Sequence, residues 1–203
     1  MEIKILEEDD RRIKFSLSGV SPAFANALRR VMISEVPTMA IDKVEFYQNS
    51  SGLFDEVIAH RLGLIPLTFD PSKYNLKSEC KCKGKGCSLC EVTLKFDSKN
   101  LTDENNYTVK SGDLESNDPE VRPLYDDIPI VELLRGQKLK FVATARLGIG
   151  KEHAKWQGAI VGIEEKRGEE LIFDVESACG LKAREVLEQA IKVLENKVKS
   201  FKI

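Results

Sequence analysis

The amino-acid sequence predicts an α+β fold, and two observations lead to that prediction. Several short segments alternate apolar and polar side chains, which indicates strands, while three other segments carry helix-start residues or apolar residues at helical spacing. Of the 203 residues, 42% are hydrophobic and 32% charged, which is enough apolar surface for a packed core and excludes a mostly disordered chain. The length allows one large domain or two small ones.

The first half of the chain contains predicted strands and helices in turn. In the second strand, Ile13, Phe15 and Leu17 share one face, because side chains alternate along a strand. Ser21 can cap the first helix and Pro22 suits its first position, where a missing N–H costs nothing. Strands are predicted at 2–6, 12–17 and 39–47, and helices at 21–36 and 55–64.

The second half is predicted to be mostly strands before a final helix. The stretch 100–129 has weak strand signals, and its eight acidic residues between 103 and 127 indicate a long surface excursion. A hairpin is expected to turn at Lys166-Arg167-Gly168. The predicted strands cover 92–96, 130–134, 139–147, 159–163 and 171–175.

The last 23 residues form the clearest predicted element, a helix about 34 Å long. Its apolar residues follow one another at steps of three or four, which gives a single stripe along the helix. The stripe can pack on strands of the same chain, or it can meet a helix of another chain. Its members are Ala183, Leu187, Ala190, Leu194, Val198 and Phe201.

Charge and hydropathy exclude two broad classes of protein. With 31 basic and 33 acidic residues the net charge is −2, whereas proteins that bind nucleic acid through phosphates usually carry a basic excess. Direct nucleic-acid binding by the isolated chain is therefore not expected. A membrane protein is not expected either, because no apolar run is long enough to span a bilayer. Met1 is followed by Glu2 rather than by an apolar signal region, so a cytoplasmic location is expected.

Four of the five cysteines lie within eleven residues and predict a metal site. Cys80, Cys82, Cys87 and Cys90 have the spacing C-x-C-x4-C-x2-C, and four thiolates suit a closed structural zinc site. The alternative is four free or oxidised thiols in a mobile loop. A four-thiolate site leaves no open position for a substrate, so it argues against zinc catalysis. The remote Cys179 is expected to be a small buried hydrophobe.

Signals for catalysis are scarce in this sequence. It contains no G-x-S-x-G, no P-loop and no G-x-G-x-x-G, and its two histidines have no acid or nucleophile at a known spacing. His60 and His153 are therefore expected to have structural roles, and no catalytic residue is predicted. The adjacent Arg29 and Arg30 point about 100° apart on the first helix, so they cannot share one role. One of them can meet an acidic partner, and the alternative is ordinary solvation.

Four segments together resemble the α-like subunits of DNA-directed RNA polymerases, in the archaeal and eukaryotic branch of that family. Their order along the chain is that of the family, and they extend over most of its length. The segments are 24–42 (FANALRRVMISEVPTMAID), 55–67 (DEVIAHRLGLIPL), 153–157 (HAKWQ) and 173–177 (FDVES).

This resemblance implies an architecture and a role. A discontinuous dimerisation domain, an antiparallel sheet with two helices, would comprise 1–42 and 155–203, and a mainly β insert domain would comprise 43–154 with the cysteine loop 80–90. The chain would form a heterodimer with small subunit L, on which the second-largest subunit and small subunits N and P assemble. It would belong to a nucleotidyltransferase complex without a catalytic site of its own. The alternative is a free-standing, zinc-stabilised nucleic-acid-binding module that uses the lysines between Lys73 and Lys85.

The resemblance also implies interface residues and cofactors. The cysteine segment is similar to the zinc loop of eukaryotic members, with one more residue between Cys82 and Cys87. Many members carry a ferredoxin-like insertion with iron–sulfur cysteines, but here about a dozen residues lead from Gly158 to Leu171 without a cysteine. We therefore expect zinc and no iron–sulfur cluster. The expected partner interface comprises Phe24, Leu28, Arg29, Arg30, Val31, Leu187, Ala190, Leu194, Val198 and Phe201.

Overall fold

The computed structural model describes residues 1–99, 101–102, 105–166 and 170–201, and the chain forms two compact units. One unit comprises Met1–Thr38 and Gly148–Ile203, and the other comprises Met39–Leu147. The chain thus changes unit at 38/39 and 147/148. The domain boundaries predicted from the sequence, 42/43 and 154/155, stay a prediction.

The described residues form antiparallel sheets and three helices, which confirms the predicted α+β class. The helices are α1 (Pro22–Ser34), α2 (Asp55–Gly63) and α3 (Ala183–Ser200). The strands are β1 (Glu2–Glu8), β2 (Arg12–Ser18), β3 (Thr38–Asn49), β4 (Glu91–Asp97), β5 (Tyr107–Lys110), β6 (Glu115–Ser116), β7 (Pro129–Leu133), β8 (Leu139–Gly148), β9 (Ala159–Lys166) and β10 (Glu170–Ser177).

The first unit is built on a four-stranded antiparallel sheet with strand order β1-β2-β10-β9. Phe15 of β2 lies opposite Phe173 of β10 in the register, and their stacked rings are 4.8 Å apart. Both rings are fully buried, as are Ile13 and Leu17. The single apolar face predicted for β2 is therefore confirmed. Burying these side chains supplies much of the driving force for folding this unit.

Helix α1 begins and ends where local chemistry favours it. The Ser21 side chain accepts a hydrogen bond from the Phe24 backbone N–H at 3.2 Å, and Pro22 occupies the first turn. The last carbonyls of the helix accept hydrogen bonds from a segment distant in the chain. Lys151 N–H donates to Ser34 O at 2.9 Å and Gly158 N–H to Ile33 O at 3.2 Å. Residues 148–158 are thereby fixed to the carboxyl end of α1.

Helix α3 is shorter at both ends than the 23 residues predicted. Lys182 caps its start, where the backbone N–H donates to the Glu185 carboxylate at 2.7 Å, and Phe201 follows its last turn. The helix packs on β2, β10 and α1. Its side chains are buried near the start, but from Ile191 to Ser200 every one is half-buried or exposed.

The second unit contains a four-stranded sheet of order β3-β8-β4-β6 and the two-stranded sheet β5-β7. Phe141 of β8 is fully buried, with the rings of Phe46 and Phe96 at 5.7 and 5.8 Å. Helix α2 packs against β7, with Ile58 and Leu62 buried. It ends one residue before the predicted Leu64.

The acidic stretch is more ordered than the sequence suggested. Strands β5 and β6 form within it, and Val109, Leu114 and Val121 are buried, so the expected surface excursion is partly core. The strands are too short to show a clear alternation, and β5 is stabilised by pairing with the distant β7. The predicted turn at Lys166-Arg167-Gly168 lies outside the described residues, apart from the backbone of Lys166, which ends β9.

Candidate docking groove and metal site

An apolar groove of about 370 Å³ lies in the first unit between the sheet and its two helices. Strands β1 and β2 supply one side, and α1 and α3 supply the other. Glu195 and Lys199 stand at its rim and pair with each other at 3.4 Å. The apolar lining consists of Met1, Ile3, Leu17, Phe24, Leu28, Ile191, Leu194 and Val198.

Several of these apolar side chains are open to water. Val198 is 74% exposed, Phe24 40% and Ile191 39%, and Phe201 just beyond the helix is 80% exposed. Single exposed apolar residues are ordinary on protein surfaces, but a contiguous apolar groove marks a site where another molecule binds.

The helical stripe predicted as one continuous surface divides into two parts. Ala183, Leu187 and Ala190 are buried within the unit itself, so its first half is core. Leu194 is half-buried, while Val198 and Phe201 are exposed. Packing within the same chain therefore accounts for the first half of the stripe only, and the second half is left half-buried or exposed.

The predicted interface residues on α1 also differ in exposure. Leu28 and Val31 are each 3% exposed, whereas Phe24 projects into the groove. The half-buried Arg29 donates from Nε to the Asn26 side chain at 3.1 Å, and the neighbouring Arg30 is exposed. Only Phe24 and Arg30 of this set offer a partner a large free surface.

Sequence reasoning missed the wall that the strands contribute. Met1 just before β1, Ile3 on β1 and Leu17 on β2 line the groove, yet none was proposed as an interface residue. The available signal was the apolar alternation of β1. That strand lies at the edge of the sheet and is exposed along its whole length, so its apolar side chains remain open to solvent.

The four clustered cysteines converge in the second unit. The Sγ–Sγ distances are 3.5 Å for Cys80–Cys87, 3.6 Å for Cys82–Cys90 and 3.7 Å for Cys87–Cys90, and all four sulfurs lie within 4.8 Å of one another. Tetrahedral zinc with bonds of about 2.3 Å needs sulfurs separated by about 3.8 Å. The four side chains therefore fit a tetrahedral metal ion.

The backbone of the loop is shaped to bring the sulfurs together. Lys83, Gly84 and Gly86 have φ values of 55°, 78° and 90°, a region that glycine occupies without strain. The Cys87 N–H also donates to the Cys90 sulfur at 3.3 Å. Gly84 and Gly86 thus allow the tight turns between the cysteines.

The surroundings of the thiols move their pKa values in opposite directions. Burial raises the pKa of Cys90 to about 12. At Cys82 burial also opposes ionisation, but hydrogen bonds from Cys80, Cys90 and the Gly86 backbone outweigh it and hold the pKa at about 6. Within the cluster, the surroundings thus favour the thiolate form at Cys82 and the neutral thiol at Cys90.

A polar network fixes the segment that leads into the cysteine loop. Asp118 accepts hydrogen bonds from Lys73 Nζ at 2.7 Å and from the Tyr74 hydroxyl at 2.5 Å, and Lys73 also pairs with Glu120 at 2.8 Å. The bonds from Lys73 and Tyr74 lower the pKa of Asp118 to about 2. Farther along the loop, Lys77 pairs with Glu91 at 2.5 Å.

Replacing Asp118 with Asn should destabilise the second unit by about 1–2 kcal/mol at pH 7, because charge-assisted hydrogen bonds are lost. Since the folded-state pKa is depressed, the stabilisation by wild-type Asp118 is complete above its unfolded value of about 3.9 and is lost as the pH falls through about 2. The difference between wild type and variant, measured by urea unfolding at several pH values, should therefore shrink in acid. The control Glu115→Gln, at an exposed strand pair, should change stability by less than about 0.5 kcal/mol. Equal differences at pH 7 and pH 2 would contradict the assignment.

The two histidines differ in their surroundings, and only His153 has a structural contact among the described residues. His153 Nδ1 accepts a hydrogen bond from the Lys155 backbone N–H at 3.0 Å and caps a 3-10 turn at 154–156. His60 is exposed in the last turn of α2.

Within the described ranges, no helix is both long and apolar enough to cross a membrane.

Comparison with known proteins gives consistent matches. The chain is 45% identical over 179 residues to DNA-directed RNA polymerase subunit Rpo3 of Archaeoglobus fulgidus, which covers 88% of this chain and 66% of the relative. It is 46% identical over 196 residues to Rpo3 of Methanosarcina mazei, covering 96% and 71%. It is 50% identical over 157 residues to Rpo3 of Pyrococcus horikoshii, covering 77% and 56%. The chain thus spans less than two thirds of the length of the first and third of these relatives.

The match to a family profile includes all the elements that form the groove except β1. The profile of the RNA polymerase Rpb3/Rpb11 dimerisation domain matches residues 14–198, from β2 to the last turn of α3. The order of elements, the groove and the similarity to Rpo3 proteins therefore agree, and the chain belongs to the RNA polymerase Rpb3/Rpb11 dimerisation domain family.

Proposed function

We propose that this chain is a non-catalytic assembly subunit of a DNA-directed RNA polymerase, working in the cytoplasm, and that it binds its dimer partner through the apolar groove. The observation that carries this proposal is the groove itself, because Phe24, Ile191 and Val198 leave apolar surface that a second chain can bury. Membership of a family named for dimerisation supports it. The partner is small subunit L, and the residues at the interface are those of the groove together with Phe201.

We further propose that the heterodimer is the platform for the second-largest subunit and for small subunits N and P. Arg30 on α1 is exposed and lies outside the groove, so it can contact an acidic side chain of such a subunit. Leu28, Val31, Leu187 and Ala190 are almost fully covered by their own unit. Their part in the interface is to support the exposed side chains above them.

The four cysteines are proposed to hold a zinc ion with a structural role. The sulfur distances support this, and so does the chemistry of thiolates, which are preferred ligands of zinc. Four thiolates give the site a net charge of about −2, which the lysines of the loop partly offset. With four protein ligands the ion has no open position, so its contribution is to stabilise the loop.

The nucleic-acid-binding alternative has little support. Of its five lysines, Lys73 and Lys77 are engaged in ion pairs with acids of the same unit, which leaves three for a phosphate backbone. Similarity to polymerase subunits over most of the chain also favours the assembly role.

Co-expression with small subunit L tests the proposed function. Size-exclusion chromatography with light scattering should give one species with the summed mass of both chains, and the chain alone should aggregate or elute as a self-associated species. Two separate monomer peaks after co-expression would overturn the proposal.

A further inference from the structure

The Glu35 carboxylate is held between two lysines at the carboxyl end of α1. It pairs with Lys151 Nζ at 2.8 Å and with Lys197 Nζ, and its side chain is only 14% exposed. Both lysines lower the pKa of Glu35 against the effect of burial, which raises it. Glu35 therefore joins three segments of the first unit: the end of α1, residues 148–158 and the last turns of α3.

The pair with Lys197 lies where α3 has little other support. From Ile191 onward every side chain of the helix is half-buried or exposed, so little apolar packing holds these turns. Lys197 directly precedes Val198, which lines the groove together with Leu194 of the same helix. An ion pair from Lys197 to the end of α1 therefore restrains the part of α3 that forms one wall of the groove.

The pair with Lys151 has a different position. Residues 148–158 are already bound to α1 by two backbone hydrogen bonds, from Lys151 N–H and from Gly158 N–H. Losing the Lys151 side chain leaves those bonds in place. The position of residues 148–158 therefore does not depend on the Glu35–Lys151 ion pair, whereas the position of the last turns of α3 depends on the Glu35–Lys197 ion pair.

We propose that Glu35 is a positioning residue for partner binding: through its ion pair with Lys197 it fixes α3 against α1 and so sets the shape of the apolar groove. Pre-organisation raises affinity because the partner need not order the helix when it binds. The inference rests on the proposed function, since the groove is the surface it shapes. Glu35 itself has little surface to offer a partner.

Titration with purified small subunit L tests the inference, with the purified chain kept dilute enough that it does not self-associate. Glu35→Gln and Lys197→Met should each raise the dissociation constant about five- to tenfold, an ordinary effect for losing one partly buried ion pair. Lys151→Met should change it less than about twofold, and so should the matched control Asp174→Asn, which removes an ion pair with Arg12 on the sheet. Unfolding midpoints measured for all four variants separate effects on binding from effects on stability. If a residue only stabilises the fold, the change in its dissociation constant should parallel the change in its unfolding midpoint.

The double variant Glu35→Gln/Lys197→Met separates positioning from direct contact. If both residues act through their mutual pair, the double variant should bind no more weakly than either single variant. Additive losses would show that Lys197 contacts the partner directly and would overturn the inference. Wild-type affinity in Glu35→Gln would overturn it as well and leave the proposed function intact. Absence of binding by the wild-type chain would instead overturn the proposed function, and this inference with it.

Discussion

Replacing Val198 with Asp is expected to abolish formation of the heterodimer with small subunit L, raising the dissociation constant more than about 100-fold. Val198 is 74% exposed in the free chain, so a carboxylate there remains hydrated and the fold should be unaffected. When a partner covers the groove, that carboxylate is buried among apolar side chains. Lys199 is the cation in the groove lining, and it already pairs with Glu195. Burying an uncompensated charge costs about 3–5 kcal/mol.

The matched control for this prediction is Ile160→Asp. Ile160 is another exposed aliphatic residue of the same unit, 59% exposed, but it lies on β9 at the edge of the sheet opposite β1. Light scattering on the co-expressed pair should show an intact heterodimer for Ile160→Asp and free chains for Val198→Asp. Thermal unfolding should show both variants folded. A heterodimer of wild-type affinity in Val198→Asp would contradict the position of the interface.

Replacing Cys87 with Ser is expected to remove the metal from the cysteine site. The wild-type chain, purified under reducing conditions without chelator, should carry about one zinc ion, and the variant should carry almost none, because a hydroxyl is a much poorer zinc ligand than a thiolate. Since metal binding stabilises only the folded arrangement, the loop around the site should open. Hydrogen exchange should become faster in residues 79–91 and remain slow in β2 and β10 of the first unit.

The control for the metal prediction is Cys179→Ser, which removes the one cysteine outside the cluster. That variant should keep its zinc, measured by elemental analysis, although burial of the hydroxyl lowers its overall stability somewhat. Heterodimer formation should survive Cys87→Ser, because the groove and the cysteines belong to different units. Full zinc content in Cys87→Ser would disprove the four-cysteine site.

Much of the first unit could be predicted from local patterns. The alternation of Ile13, Phe15 and Leu17 marked a buried strand face, and the residues around Ser21 marked the start of α1 within one position. The spacing of the four cysteines was enough to predict that they converge. These features depend on residues close together in the chain, so the sequence displays them directly.

Other features depend on contacts between distant segments. The stripe from Ala183 to Phe201 looks uniform in the sequence, yet β2, β10 and α1 cover only its first half. Strand β5 forms because it pairs with β7, some twenty residues later in the chain. The contribution of Ile3 to the groove likewise could not be predicted from local patterns. It depends on β1 lying at the edge of the sheet and lining the same groove as α3.

The sequence by itself determined the fold class, the approximate bounds of the helices, the face of β2 that is buried and the four-cysteine cluster. Each follows from periodicity, capping or spacing over a few residues. The tertiary structure alone decided which half of the α3 stripe is core and which half remains exposed, and it alone brought Glu35 between Lys151 and Lys197. The physical reason is that burial is a property of what packs against a residue, and packing partners here come from opposite ends of the chain.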